Sequence, residues 1–157
     1  MTRLADYIVD HQGVDWPDLL SSWAWLVPRV LTVWIMNRFG DLFLVFEDGS
    51  VHMLDVGRGS LERVADSRDD FANRIDQGDN ANDWLMIPLV DELRAAGLVP
   101  GPSECYSYVH LPVLGGDYTR GNVRVASIAH HYKAFGPIHE KLKDIPDGTF
   151  VKFDVAG

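Results

Sequence analysis

Cysteine is nearly missing from this chain: with Cys105 alone in 157 residues, neither an internal disulfide nor a multi-cysteine zinc site can be assembled. The fold must close on its own core, and a chain of this length buries roughly 68–70% of its unfolded surface, which is enough. Long apolar runs are missing too. The longest, Trp23 to Met36, is interrupted by Pro28 and Arg29 and falls short of the roughly 20 residues of a membrane helix. The opening MTRLADYIVDHQ sets Asp6, Asp10 and His11 where an export signal needs a basic region and an apolar run, so the expected compartment is the cytoplasm. Positive charge is scarce: 14 Lys and Arg stand against 23 Asp and Glu, a formal net charge of -9. No basic stripe with interleaved aromatics offsets that balance, so a phosphate backbone is repelled and nucleic acid is not an expected partner. Gly115-Gly116 lies outside any GxGxxG or GxxxxGK[ST] frame, which removes the support for nucleotide binding, and no cofactor is expected.

What is present is a globular composition, 46% hydrophobic and 24% charged, suited to one domain with one core. Thr2 can cap a short helix running to about Asp10, with Leu4, Tyr7 and Ile8 on one face and Gly13 as its end. Asp15 before Trp16-Pro17 can cap a second helix that turns Leu19, Leu20 and Trp23 inward. Trp16, Trp23 and Trp25 read as core, with an aromatic binding groove as the alternative. From Val30 to Asn37 the residues become β-branched and aromatic, as in a strand, and Gly40-Asp41 turns the chain. Leu42 to Phe46 and Val51 to Val56, joined by Glu47-Asp48-Gly49-Ser50, predict a hairpin, and Ser60 to Val64 a further short strand.

Ser67 is placed to cap a helix that Gly78 stops, with Phe71 and Ile75 inward. The run from Asp83 to Gly97 is also helical, but Pro88 requires a kink at Ile87 or a fresh start at Pro88. Glu104 to Val125 mixes aromatic, acidic and Gly-Gly residues and reads as a shaped loop. Val123 to Ser127 predicts a strand, and Ala129 to Leu142 a helix interrupted at Gly136-Pro137. After a turn at Pro146-Asp147-Gly148, Thr149 to Val155 reads as a last strand. Together these elements predict an α+β fold: a central antiparallel sheet with helices packed on it, as a single compact domain over residues 1–157, of which 1–29 are a helical lead-in.

Two stretches hold the candidate site residues. Between Asp66 and Asp83, six acids face only Arg68 and Arg74, leaving that segment at -4. It is either a solvated helix and loop or a docking surface for a basic partner, to which Asp69, Asp70 and Asp76 would contribute. In the shaped loop, Glu104, Tyr106, Tyr108, Asp117 and Tyr118 are candidates for partner or ligand contact. An alternative makes the protein a small-molecule binder or hydrolase, with a pocket near residues 104–118 lined by Glu104, Tyr106, Tyr108, His110 and Asp117.

No catalytic arrangement is compelling. Cys105 and His110 lack a third orienting group, and an inert buried thiol is the simpler reading. His130-His131 with His139 lacks metal-ligand spacing, since adjacent helical residues point about 100° apart. Glu104 and Asp117 read more simply as a local backbone acceptor and a turn residue than as a carboxylate pair.

Several blocks carry a resemblance. Asn37-Arg38-Phe39-Gly40-Asp41-Leu42-Phe43-Leu44, Asp48-Gly49-Ser50-Val51, His52-Met53-Leu54-Asp55 and Ala65-Asp66-Ser67 are followed by Glu104-Cys105-Tyr106-Ser107-Tyr108. Pro112-Val113-Leu114-Gly115-Gly116-Asp117-Tyr118 with Asn122, then Ile138-His139 and Asp144-Ile145-Pro146-Asp147-Gly148, complete the set. In order and spacing these resemble the C-terminal domain of bacterial type VI secretion immunity proteins, over roughly Val30 to the C-terminus. The resemblance implies an α+β domain and a non-enzymatic protein that binds and blocks a toxin, without implying catalytic residues or an oligomeric state. Joined to the acidic balance, it points to a basic effector toxin or a similar protein as the partner.

Overall fold

Among residues 4–145, which the computed structural model describes, four strands form one antiparallel sheet. These are β1 (Leu31–Met36), β2 (Leu42–Phe46), β3 (Val51–Asp55) and β4 (Ser60–Ala65), in that spatial order. The Asp48-Gly49 signal acts as expected: Gly49 takes φ +87°, and the Phe46 amide donates to the Ser50 carbonyl at 2.9 Å. Helix α1 (Trp16–Ser21) precedes the sheet; the Asp15 carboxylate accepts the Asp18 amide, and Trp16-Pro17 fills the first turn. Three helices follow the sheet: α2 (Arg68–Arg74), α3 (Asn80–Leu85) and α4 (Ile87–Ala95). A hairpin of β5 (Glu104–Tyr108) and β6 (Val123–Ser127) then leads into α5 (Ile128–Leu142). The α+β class with a central antiparallel sheet is therefore correct. Thr2, the turn at Pro146-Asp147-Gly148 and the strand expected over Thr149–Val155 lie outside the described residues.

The sheet is covered on both sides. Leu42, Phe43 and Leu44 of β2 are all fully buried, which alternation allows only if both faces are packed. Phe43 meets Phe71 of α2 at 5.0 Å and Trp84 of α3 at 6.1 Å between ring centroids. Leu44 pairs with Val33, which lies beside Trp16, Leu20 and Val27 around α1. The β1–β2 register slips between Val33 and Ile35, so Trp34 is an extra residue, a bulge that leaves Trp34 and Ile35 both on the α2–α3 side.

Four expectations change. Of the helix expected from Thr2 to Asp10, the described residues form only a 3₁₀ turn at Leu4–Asp6; beyond it Ile8 bridges Asn37 and the Val9 amide donates to the Met36 carbonyl at 2.8 Å. Pairing with the sheet prevails because a helix this short is marginal alone. Second, α2 stops at Arg74, and Gly78 lies beyond it. Third, the Asp83–Gly97 run is two helices separated by Met86 at φ +51°, with Pro88 in the first turn of α4. That choice spares the missing proline donor, since the first amides of a helix have no partner anyway.

Fourth, α5 runs unbroken through Gly136-Pro137. Packing accounts for this: a Cβ on Gly136 would lie 2.5 Å from the Ser22 carbonyl oxygen, so α1 seats directly on that turn. Trp23 locks the contact by donating its indole N–H to the Tyr132 carbonyl at 3.1 Å. Burying Trp23, Tyr132 and Phe135 outweighs a proline cost of about 3 kcal/mol.

Candidate functional site

The stretch read as one shaped loop is a strand, a loop and a second strand. Glu104 pairs with Ser127 and Tyr108 with Val123, so the residues between them build a hairpin whose connection is 109–122. Tyr106 and Tyr108 pack on Phe39, with centroids at 5.2 and 5.7 Å. On the opposite strand face the Ser107 hydroxyl meets Nδ1 of His131 at 2.8 Å. Both faces are covered, which is why Cys105 to Tyr108 are all buried and no polar alternation marked them as a strand.

This placement decides what the candidates can touch. Tyr106 is fully buried and Tyr108 is 1% exposed, so neither presents a surface to a partner. The Tyr106 hydroxyl donates to the Leu98 carbonyl, and that of Tyr108 has no hydrogen-bond partner among the described residues. Burial raises the pKa of both phenols. Glu104 is half-buried and accepts the Gly101 amide at 2.8 Å.

Asp117 and Tyr118 are exposed in the connection, where the Arg58 guanidinium donates to the Tyr118 hydroxyl at 3.3 Å. The five-residue strand β5 spans about 13 Å, which separates Glu104 from the end that carries Asp117. The residues that would line a pocket near 104–118 therefore divide between core and two ends of a hairpin rather than converging.

The connection is held by Asn122, one of the residues that carry the resemblance. Its side chain accepts the His110 amide at 2.9 Å and donates to the carbonyls of His110 at 2.8 Å and Asp117 at 2.9 Å. Gly116 is wedged against His110, whose carbonyl oxygen would lie 1.9 Å from a Cβ. Val109, Val113, Leu114 and Tyr118 thus stand exposed on a braced loop.

Deeper in, Asn37 and Asp41 tie three segments together. The Asn37 side chain accepts the amides of Phe39 and Asp41 and donates to the Trp84 carbonyl at 2.9 Å and to the Asp41 carboxylate at 3.1 Å. Asp41 also accepts the Val56 amide at 2.9 Å. Burial, with Asp55 nearby, raises the Asp41 pKa, and the two hydrogen bonds oppose that rise. His131 is wholly buried, and burial lowers its pKa to about 3, so the ring is neutral.

Cys105 is buried as well and burial pushes its thiol pKa up, away from nucleophilic thiolate. His110 is exposed at the other end of β5, so the two do not form a catalytic pair. His130 is half-buried, while His139 is buried and donates Nε2–H to the Val56 carbonyl at 2.7 Å. Among the described residues no three His, Cys, Asp or Glu side chains cluster as a metal site, and no helix is long and apolar enough to cross a membrane.

The acidic stretch is the exposed one. Asp70 accepts the Asp66 amide at 2.8 Å and the Arg74 guanidinium at 2.8 Å, and the first of these bonds leads in holding its pKa below the usual carboxylate range. It is therefore occupied in capping α2, and Asp66 is paired with Arg63 at 2.9 Å. Asp69, Asp76, Asp79 and Asp83 are exposed and, among the described residues, have no cation within 4 Å. Of the sequence candidates, Asp69 and Asp76 belong to this free set. Asp79 and Asp83 join them only because the chain turns from α2 into α3.

No curated protein matches the chain. The family described as "T6SS immunity protein Tdi1, C-terminal" matches residues 65–139, a narrower extent than the Val30-to-C-terminus resemblance. The match runs from the end of β4 through the acidic α2–α3 stretch and the β5–β6 hairpin into α5. Over that stretch the chain is similar to the C-terminal domain of type VI secretion immunity proteins.

Proposed function

We propose that this protein is an immunity protein: it binds a toxic effector and blocks it, without catalysing a reaction, in the cytoplasm of the cell that makes it. The observation that carries the reading is the family match over residues 65–139. The contact surface in this proposal is the acidic α2–α3 face, where four carboxylates have no cation among the described residues. Unpaired surface charge costs little to desolvate at a rim and accelerates encounter with a basic partner. The inert thiol of Cys105 and the neutral, buried imidazole of His131 agree with a binding role, since neither is poised to react.

The test is co-expression. Each protein encoded beside this gene is produced in a heterologous host with and without this chain. The expected result is that one neighbour is toxic alone, is tolerated when this chain is present, and co-purifies with it. The complex should weaken between about 50 and 500 mM salt, as a charge-steered interface must. A toxic neighbour that kills equally well in the presence of this chain would overturn the reading.

A further inference from the structure

The acidic face borders an apolar groove. Between β1, α2 and the α3–α4 junction lies an open cavity of about 510 Å³ whose walls include Trp34, Ile35, Phe71, Ile75, Leu85 and Ile87. The bulge at Trp34 makes its floor, because an unbulged strand would turn either Trp34 or Ile35 to the opposite face. Asp76 lines the groove, and Asp69, Asp79 and Asp83 lie on the same two helices and their junction. The aromatic floor already accepts a cation: the Arg68 guanidinium sits over the Trp34 ring, 5.5 Å from its centroid.

We infer that this groove is the docking site for a cationic amphipathic segment of the neutralised effector, its apolar side chains entering the cavity and its Lys or Arg side chains meeting Asp76 in the groove wall and Asp79 in the adjoining α2–α3 turn. The inference rests on the immunity reading for the identity of the partner, but the segment's chemistry follows from the groove. An apolar floor without a charged rim would accept many partners. The rim selects by sign, repelling acidic segments as effectively as it attracts basic ones. It also argues against a second copy of this chain, because a two-fold contact would set the same acidic rim against itself in a protein of net charge -9.

The probe is a labelled peptide of about 18 residues, five helical turns, with leucines along one face and lysines on the other. Controls are a scrambled peptide of the same composition and one with glutamate for lysine. Binding to the intact protein is followed by anisotropy and by NMR shifts of the Trp34 and Trp84 indole N–H groups. The patterned peptide should bind and perturb both indoles, and both controls should bind at least about tenfold more weakly. The double variant Asp76→Asn, Asp79→Asn should lose about tenfold, and Ala72→Trp, which fills the groove from an exposed helix position, should abolish binding. Circular dichroism and Tm check that both variants are folded.

Equal binding of the scrambled peptide, unmoved indoles, or full binding by folded Ala72→Trp would each overturn the groove assignment. So would self-association of the wild type that the double variant removes. In the co-expression assay, folded groove variants that protect as well as wild type sink the groove while leaving immunity intact. Wild type that binds the patterned peptide but fails to protect sinks immunity while leaving the groove.

Discussion

Glu104–Val125 and Asp66–Asp83 hold all the sequence candidates, yet they use their side chains in opposite ways. The first turns two tyrosines, a cysteine and a serine into the core and spends an asparagine on bracing its own connection. The second buries only Phe71 along α2 and leaves its acids in solvent. Residues that look chemical, such as Tyr, His and Cys, are also those a core accepts readily when covered on both faces. Carboxylates without partners are accepted only by the surface. Of the two, the hairpin therefore contributes more to the core, and recognition in the proposal is concentrated on α2–α3.

The largest test of that contrast is Tyr108→Ala against Asp83→Ala. Truncating a buried ring should cost about 3–5 kcal/mol in urea denaturation, whereas the exposed acid should stay within about 0.5 kcal/mol of wild type. Equal effects would break the contrast. Next is Asn122→Ala, which removes three hydrogen bonds and should cost about 2–3 kcal/mol, at roughly 1 kcal/mol each. Limited proteolysis should then cut within residues 109–121, and a variant as resistant as wild type would show that the connection is braced by something else.

A more gradual effect concerns pH. The folded pKa of His131, about 3, lies below the unfolded value near 6.5, so the folded state binds fewer protons. Its contribution to stability is complete above pH 6.5 and is lost as pH falls toward 3. The stability advantage of wild type over His131→Gln should therefore shrink by about 1.4 kcal/mol per pH unit between pH 6 and 4. Taking the difference removes the contributions of Asp41 and His139, which both proteins share; a constant difference would mean that His131 is protonated when folded. The smallest effect is expected from Tyr108→Phe, which deletes a hydroxyl without a partner among the described residues and should stay within about 1 kcal/mol of wild type. That result, beside the alanine variant, assigns the role of Tyr108 to its ring.

Much of the fold was legible because its signals are local. Ser67 and Asp15 cap the helices they precede, Asp48-Gly49 makes its hairpin, and Pro88 marks a helix start. The resemblance was legible as well: the blocks at 65–67, 104–108, 112–118 and 138–139 lie inside the matched segment, and those before residue 65 and after residue 139 lie outside it. The site was legible only in part. Charge counting found the acidic stretch, because unpaired carboxylates go to the surface in nearly any fold, but it could not separate Asp70, taken up by its own helix cap, from Asp76.

By itself, then, the sequence determined the class of fold, the turns and caps, and the sign of the exposed surface, each set by residues within a few positions of one another. Tertiary structure alone decided that β5 is a strand buried on both faces, that α5 continues through Pro137, and that Asn37 and Asp41 join β1, α3 and the end of β3. It also decided that Trp34 and Ile35 share a face above a groove. The reason is the same in each case: the energy that settles the conformation comes from partners distant in the chain, Phe39 for the tyrosines, Ser22 for Gly136 and Phe71 for Trp34, and no local pattern encodes them.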